Sequence, residues 1–138
     1  KTLPLRMEQH QKNAFAIAKW LQKQPRVQYV LYPGLENHPG YAINKAQTTG
    51  FGGMISFAVD NAETARQILE GVKLIKFAES LGGTESLITY PIRQTHTDLT
   101  AEECAEKGIT DCLLRFSTGI EATQDLIDDL AQAFAAVK

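Results

Sequence analysis

Cysteine and long apolar runs are both scarce in this sequence, and each shortage narrows the class of protein. Cys104 and Cys112 are the only two cysteines in 138 residues, which is too few for the disulfide framework of a small secreted domain. No stretch approaches the roughly 20 apolar residues that a membrane-spanning helix requires, and the N-terminal residues do not have the pattern of a secretory signal peptide. We therefore expect a cytoplasmic protein that does not associate with membranes.

The sequence also lacks an excess of basic charge and lacks histidines at the spacing of metal ligands. The 14 Lys and Arg residues stand against 16 Asp and Glu, which gives a formal net charge of −2 without a basic stripe. Binding to nucleic acid through the phosphate backbone is therefore not expected. His10, His38 and His96 show no spacing typical of metal ligands, so we expect surface or loop histidines and no metal site.

The residues that are present fit one globular domain. Hydrophobic residues make up 43% of the sequence and charged residues 22%, as is typical of soluble domains of this length. The sequence begins Lys1-Thr2-Leu3 without an initiator Met and enters a helical pattern almost at once. We therefore expect residues 1–138 to be a single domain of a larger protein.

Five segments have the apolar spacing or the capping residues of helices. The predicted helices span residues 5–24, residues 39–48 after Asn37-His38-Pro39, residues 61–72 after a capping box of Asp60 and Glu63, residues 101–108 after a capping box of Thr100 and Glu103, and a last helix with Ile127, Leu130, Phe134 and Val137 on its buried stripe. We expect Asp125, Asp128 and Asp129 toward the positive N-terminal end of the last helix.

Five short apolar or β-branched segments predict strands. These are residues 27–32, 54–59, 74–77, 86–90 and 113–117, and in the last of them Leu114 and Phe116 are predicted to share one face. Helices at both ends and no strict βαβ alternation predict an α+β fold with a mixed, largely antiparallel sheet and helices over one face.

Polar residues at the ends of strands are candidates for a site. Residues 79–86 combine acids, hydroxyls and paired glycines after a strand, where irregular backbone often serves a site, although a plain loop explains the pattern equally well. Arg115 lies in a predicted central strand, where an Arg either pairs with a buried carboxylate or presents its planar guanidinium to a ligand carboxylate. Thr95-His96 adds polar groups on a third loop.

The same segments resemble one known enzyme family. The sequences ESLGGTESL (79–87), Thr95-His96 and LRFSTGIE (114–121) are similar to the C-terminal domain of the transsulfuration enzymes. This is the pyridoxal-phosphate (PLP) family of cystathionine γ-synthase, β-lyase and γ-lyase, whose fold is that of the fold-type I PLP enzymes. YPGL (32–35), His38-Pro39 and GFGGMISF (50–57) are similar to the same family, so that the resemblance covers essentially the whole chain in order.

The resemblance implies a role for four side chains. Arg115 would bind the α-carboxylate of an amino-acid substrate, and Thr95 would hydrogen-bond around that arginine. Ser80 would have a catalytic role because it lies near the lysine that carries the cofactor and positions it, and it would also line the substrate site. Glu79 would occupy the substrate channel.

The resemblance also implies an enzyme larger than this chain. It implies PLP as cofactor, cystathionine or a related sulfur amino acid as substrate, and a homotetramer. No lysine here matches the family's Ser/Thr-x-x-Lys pattern, so we expect no cofactor-binding residue in this chain, dependence on a missing N-terminal PLP domain, and no activity of the chain alone. A non-enzymatic amino-acid-binding regulatory domain is the alternative, since such modules also use small α+β layers.

Overall fold

The computed structural model describes all residues from Lys1 to Lys138. Its elements in chain order are α1 (Leu3–Leu21), β1 (Val27–Leu31), α2 (Tyr41–Gln47), β2 (Met54–Val59), α3 (Ala62–Gly71), β3 (Lys76–Phe77), β4 (Leu87–Thr89), a 3₁₀ turn (Pro91–Arg93), α4 (Ala101–Glu106), β5 (Leu113–Ser117) and α5 (Thr123–Ala135). The strands form one sheet in the order β1-β2-β5-β4-β3. All neighbours are antiparallel except β3 and β4, which confirms the predicted mixed sheet.

One face of the sheet packs against α1, α3 and α5 and forms the main core. Leu114 and Phe116 of β5 are fully buried in it, together with Phe57 of β2 and Ile17 of α1. Leu114 and Phe116 therefore share one face of β5, as the sequence pattern predicts. The three long helices therefore cover the same side of the sheet.

The opposite face, which we call the open face, is covered only in part. It carries Leu113, Arg115 and Ser117 of β5, because alternate residues of a strand point to opposite sides. Cys104 of α4 and Ile109 pack with Leu113 over one end of it. The long helices therefore cover one face, as predicted, and the short α4 lies on the open face. None of the helices combines the length and apolar character that crossing a bilayer requires.

The predicted N-terminus of α3 is wrong by one residue. Asn61, not Asp60, is the N-cap, and its side-chain oxygen accepts the N–H of Thr64 at 2.8 Å. Asp60 instead pairs with Arg26, 3.0 Å away, at the end of the β1–β2 pair. Both residue types cap helices well, so the choice is made by this distant arginine, which the local pattern does not show.

The observed start of α4 agrees with the predicted one, whereas that of α2 does not. α2 begins at Tyr41 with Gly40 as N-cap, rather than at Pro39, because the preceding residues form turns. At α4 the predicted capping box is confirmed: the Thr100 hydroxyl accepts the N–H of Glu103, and the Glu103 carboxylate accepts the N–H of Thr100. The pKa of the Glu103 carboxyl is held below its usual range by these bonds to Thr100.

The buried stripe of α5 is rotated relative to the prediction. Its fully buried apolar residues are Leu126, Leu130 and Ala133, whereas Ile127, Phe134 and Val137 are only partly buried. The rotation also buries Asp129, one of the three aspartates predicted toward the N-terminal end of this helix. Its carboxylate accepts the backbone N–H groups of residues 73–75 at 2.8–3.1 Å. Asp129 therefore fastens the α3–β3 turn to α5.

Candidate substrate-binding site

Arg115 lies at the centre of the open face. The register pairs it with Ser56 of β2 on one side and with Thr89 of β4 on the other. Its guanidinium is partly buried and forms no ion pair or hydrogen bond with the chain, whereas the other partly buried arginines, Arg6 and Arg26, bond to a carbonyl and a carboxylate. The structure thus excludes a buried carboxylate partner for Arg115 within this chain and leaves its planar fork for a ligand.

Residues 79–83, the site loop, are attached to the open face next to Arg115. The Thr89 hydroxyl donates to the carbonyl of Ala78, just before the loop, at 3.0 Å. The Gly82 N–H donates to the hydroxyl of Ser117 at 3.0 Å. Thr89 is the register partner of Arg115 and Ser117 follows Arg115 by two residues, so both attachments are beside the arginine.

The side chains at the tip of the site loop point into solvent. Glu79, Ser80 and Leu81 are exposed, and neither the Glu79 carboxylate nor the Ser80 hydroxyl bonds to another side chain. Gly82 has a φ of +72°, a left-handed conformation that glycine adopts at least cost. The tip therefore presents a carboxylate and a hydroxyl that are available to a ligand or to another part of the protein.

Thr95 lies on a third loop, which follows the 3₁₀ turn packed against β5. Its hydroxyl bonds to Nδ1 of His96 at 2.6 Å, and the His96 N–H donates to the carbonyl of Pro91 at 3.0 Å. No hydrogen bond joins Thr95 to Arg115 in this structure. The role of Thr95 around that arginine remains a prediction.

His10 is buried, which corrects the expectation of a surface or loop histidine. It is 2% exposed. Its Nδ1 bonds to the carbonyl of Thr118, and its own carbonyl accepts the Thr118 hydroxyl at 2.9 Å. His10 precedes Ala14 and Ile17 by four and seven residues, so it falls on the buried stripe of α1. A polar residue on an apolar helical stripe was the signal in the sequence.

Asn13 and Glu121 extend this buried polar network toward the site loop. The Asn13 side chain donates to the carbonyls of Gly119 and Glu121, each at 3.0 Å. The Glu121 carboxylate accepts the N–H of Ser86 at 2.6 Å and its hydroxyl at 2.8 Å. The turn after β5, residues 118–121, is therefore tied both to α1 and to the segment that follows the site loop.

Two other titratable side chains, Tyr32 and Cys112, are held by their surroundings in the fold. Tyr32 is fully buried and donates to the carbonyl of Gly52 at 2.9 Å, and burial raises the pKa of Tyr32 to about 12. Burial, followed by the hydrogen bond to Asp111, raises the pKa of the Cys112 thiol. Both groups are therefore protonated near neutral pH, and neither behaves as an activated nucleophile.

Comparison with known proteins identifies the class and then the family. The chain has the α+β fold of fold-type I PLP enzymes: it superposes on cystathionine gamma-lyase from Lactobacillus plantarum complexed with L-serine with a TM-score of 0.94 and 40% identity, over 99% of this chain and 36% of that one. The sequence model of the Cys/Met metabolism PLP-dependent enzymes matches residues 1–135, and the chain belongs to this family.

The similar curated proteins are about three times as long as this chain. It is 52% identical over 134 residues to cystathionine gamma-lyase of Dictyostelium discoideum and 51% identical over 138 residues to cystathionine gamma-synthase of Haemophilus influenzae. These matches cover 96% and 100% of this chain, but 35% and 33% of the two relatives. The chain thus spans about a third of the length of the relatives it matches.

Pyridoxal phosphate is the cofactor of the family, and enzymes attach this cofactor through a lysine. Every lysine in the chain is exposed. Lys76 of β3, the nearest in sequence to the site loop, donates from Nζ to the carbonyl of Lys73 at 3.2 Å. A lysine that attaches this cofactor is normally desolvated or otherwise activated. No three His, Cys, Asp or Glu side chains lie together as metal ligands.

Proposed function

We propose that this chain is the C-terminal, substrate-binding domain of a PLP-dependent transsulfuration enzyme. The substrate would be cystathionine or a related sulfur amino acid, and the reaction that of a lyase or γ-synthase. Family membership supports the reaction class. The observation that carries the proposal is the unpaired, partly buried guanidinium of Arg115 at the centre of the open face.

In this proposal Arg115 positions the substrate. Its two parallel N–H donors match the two oxygens of an α-carboxylate, so a bidentate pair fixes both the place and the orientation of the amino acid. An amino acid held in this way has its α-proton directed toward the cofactor-bearing lysine of the remaining protein. When bound, PLP supplies the electron sink for the reaction.

The site loop contributes two further side chains. The exposed Ser80 hydroxyl would bond to the cofactor-bearing lysine and hold its amino group in place. The exposed Glu79 carboxylate would attract the second ammonium group of cystathionine at the far end of the substrate. Both side chains lack hydrogen-bond partners within this chain. They are therefore free to bind a lysine or a substrate that the rest of the enzyme brings to them.

The open face would be covered by the cofactor-binding part of the enzyme. Tyr29 and Leu31 of β1 are 40% and 44% exposed, and the register places Leu31 beside Ser56 in the row of Arg115. Such an apolar surface next to a polar site is typical of a surface that another part of a protein covers. Assembly as a homotetramer and a cytoplasmic location belong to the same proposal.

Substitution of Arg115 in the full-length enzyme tests the proposal. Loss of a charged hydrogen-bonding fork costs about 1.5–3 kcal/mol, so Arg115→Ala should lower kcat/KM for cystathionine about 10- to 150-fold. Arg115→Lys should restore only part, because the charge remains but the fork is lost. Arg66→Ala is the matched control, since Arg66 is exposed on α3 and pairs only with Glu63 and Glu70. An unchanged kcat/KM in Arg115→Ala would remove Arg115 from the site.

A further inference from the structure

The Glu121 carboxylate is partly buried and has no part in the function proposed so far. No Lys, Arg or His lies within ion-pair distance of it. Both of its oxygens are used on one residue, the N–H and the hydroxyl of Ser86. Hydrogen bonds to an ionised acceptor are stronger than those between neutral groups. Glu121 and Ser86 therefore form a firm link between two segments that are 35 residues apart in the chain.

This link lies where the site loop leads into β4. Ser86 directly precedes β4, and its hydroxyl oxygen also accepts the N–H of Gly119 at 2.8 Å. The Ile120 N–H donates to the carbonyl of Thr84 at 2.9 Å. A side chain at Gly119 has no space, because an added Cβ would stand 2.3 Å from the same carbonyl oxygen. The segments 84–86 and 119–121 are thus in contact along their lengths.

The turn that carries Glu121 is itself held from the other side. The carbonyls of Gly119 and Glu121 accept hydrogen bonds from Asn13, and the neighbouring Thr118 bonds to His10. The turn therefore keeps its place on α1 if the Glu121 carboxylate is altered. What the carboxylate adds is a second link to Ser86, beside the bond from the Gly119 N–H, in the segment that follows the site loop.

We propose that Glu121 is a positioning residue, which through Ser86 sets the place of Ser80 on the site loop relative to Arg115 on β5. The inference rests on the proposed function, in which Arg115 binds the substrate and Ser80 binds the cofactor-bearing lysine. Without the Glu121 link the loop would still be attached at Ala78 and Gly82 and, just beyond it, through the bond from Ile120 to Thr84. Its tip would then sample positions away from the one that suits catalysis.

The test uses Glu121→Gln and Ser86→Ala in the full-length enzyme. Each removes part of the link, and we expect kcat/KM for cystathionine to fall about tenfold, mainly through kcat. Hydrogen exchange of the backbone amides in residues 80–85 should become several-fold faster in both variants. Ser86→Ala leaves Glu121 in place and removes a single hydroxyl. Its kcat and amide exchange therefore test the inference if Glu121→Gln folds poorly.

A double substitution separates positioning from a general effect on stability. If Glu121 acts through the loop tip, Glu121→Gln combined with Ser80→Ala should lower kcat by less than the product of the two single effects. Asp129→Asn is the matched control, because its carboxylate also accepts backbone N–H groups but contacts residues 73–75 and not the loop. It should lower the Tm and leave kcat unchanged below the melting range.

The outcomes distinguish this inference from the proposed function. Unchanged kcat/KM and amide exchange in Glu121→Gln and Ser86→Ala, together with a loss in Arg115→Ala, would overturn the positioning role and leave the proposed function standing. Fully multiplicative effects of Glu121→Gln and Ser80→Ala would also overturn it. If Arg115→Ala has no effect, the proposed function itself fails, whatever Glu121 does.

Discussion

The hydroxyl of Ser117 accepts a hydrogen bond from the N–H of Gly82 at 3.0 Å, although the two residues lie 35 positions apart in the chain. Ser117 ends the strand that carries Arg115, and Gly82 belongs to the loop that carries Ser80. The bond therefore joins the proposed carboxylate-binding strand directly to the proposed lysine-positioning loop. Substitutions of Arg115 and of Ser80 should change different kinetic constants, because Arg115 is proposed to bind the substrate and Ser80 the cofactor-bearing lysine.

Ser80→Ala in the full-length enzyme should lower kcat more than it raises KM. The reason is that Ser80 is proposed to hold the cofactor-bearing lysine, which acts after the substrate has bound. We expect kcat to fall about tenfold or more and KM to change by less than threefold (roughly the loss of one hydrogen bond). Thr48→Ala, which removes an exposed hydroxyl at the end of α2, is the control. A raised KM with unchanged kcat would assign Ser80 to the substrate instead.

Glu79→Ala should shift substrate preference from cystathionine toward methionine. Cystathionine has a distal ammonium group that a carboxylate attracts, whereas methionine ends in a neutral thioether. Because Glu79 is exposed, the gain is about 0.2–1 kcal/mol and decreases with salt. The ratio of kcat/KM for the two substrates should therefore fall several-fold at low salt and less at high salt. Glu85→Ala, two residues beyond the loop and also exposed, is the matched control. An unchanged ratio in Glu79→Ala would leave Glu79 as a solvated loop residue.

The chain alone should neither bind PLP in a specific site nor turn over cystathionine, because none of its lysines matches the family's Ser/Thr-x-x-Lys pattern. Titration with PLP should give no absorbance band of a protein-bound cofactor that a substrate amino acid reverses, whereas the full-length enzyme should show one. Appearance of such a band would contradict the assignment of the chemistry to the rest of the protein. Calorimetric titration with cystathionine tests the alternative of an amino-acid-binding regulatory domain, which requires tight binding by the chain itself.

Asp129→Ala should lower the free energy of unfolding of the chain by about 1–3 kcal/mol, since three backbone N–H groups at the α3–β3 turn lose their acceptor. The neighbouring Asp128 is exposed and bonds only to Gln124 on its own helix. Asp128→Ala should therefore change stability by less than about 0.5 kcal/mol. Urea unfolding of both variants measures the difference. Equal effects would show that the buried carboxylate of Asp129 stabilises the fold no more than the exposed one of Asp128.

The sequence predicted the strands well, because their apolar alternation is a property of a few adjacent residues. It also predicted the α4 capping box, in which Thr100 and Glu103 bond to each other. It failed at Asn61, where the choice of cap depends on Arg26 far away in the chain. Local patterns thus specify elements whose stabilising contacts are local, and they misplace boundaries that a distant residue decides.

The site shows the same division. The places of Arg115 in a central strand and of an irregular loop after β3 followed from local patterns, because an arginine in a central strand and paired glycines after a strand are unusual by themselves. The roles of these residues in a site stay predictions. The network behind them was not predicted, since His10 and Thr118 bond across 108 positions of the chain. A helical stripe that includes His10 indicates burial, but it does not indicate which carbonyl the buried ring will meet.

The attachment of the site loop has a consequence for how such enzymes diverge. The loop and the segment after it are held by hydrogen bonds to Thr89, Ser117 and Glu121, while the side chains of residues 79–81 are exposed. A substitution at the tip therefore disturbs no packing and costs little folding free energy. Under the proposed function, an exchange of these three residues between relatives would change which amino acid is accepted while the supporting frame is kept intact.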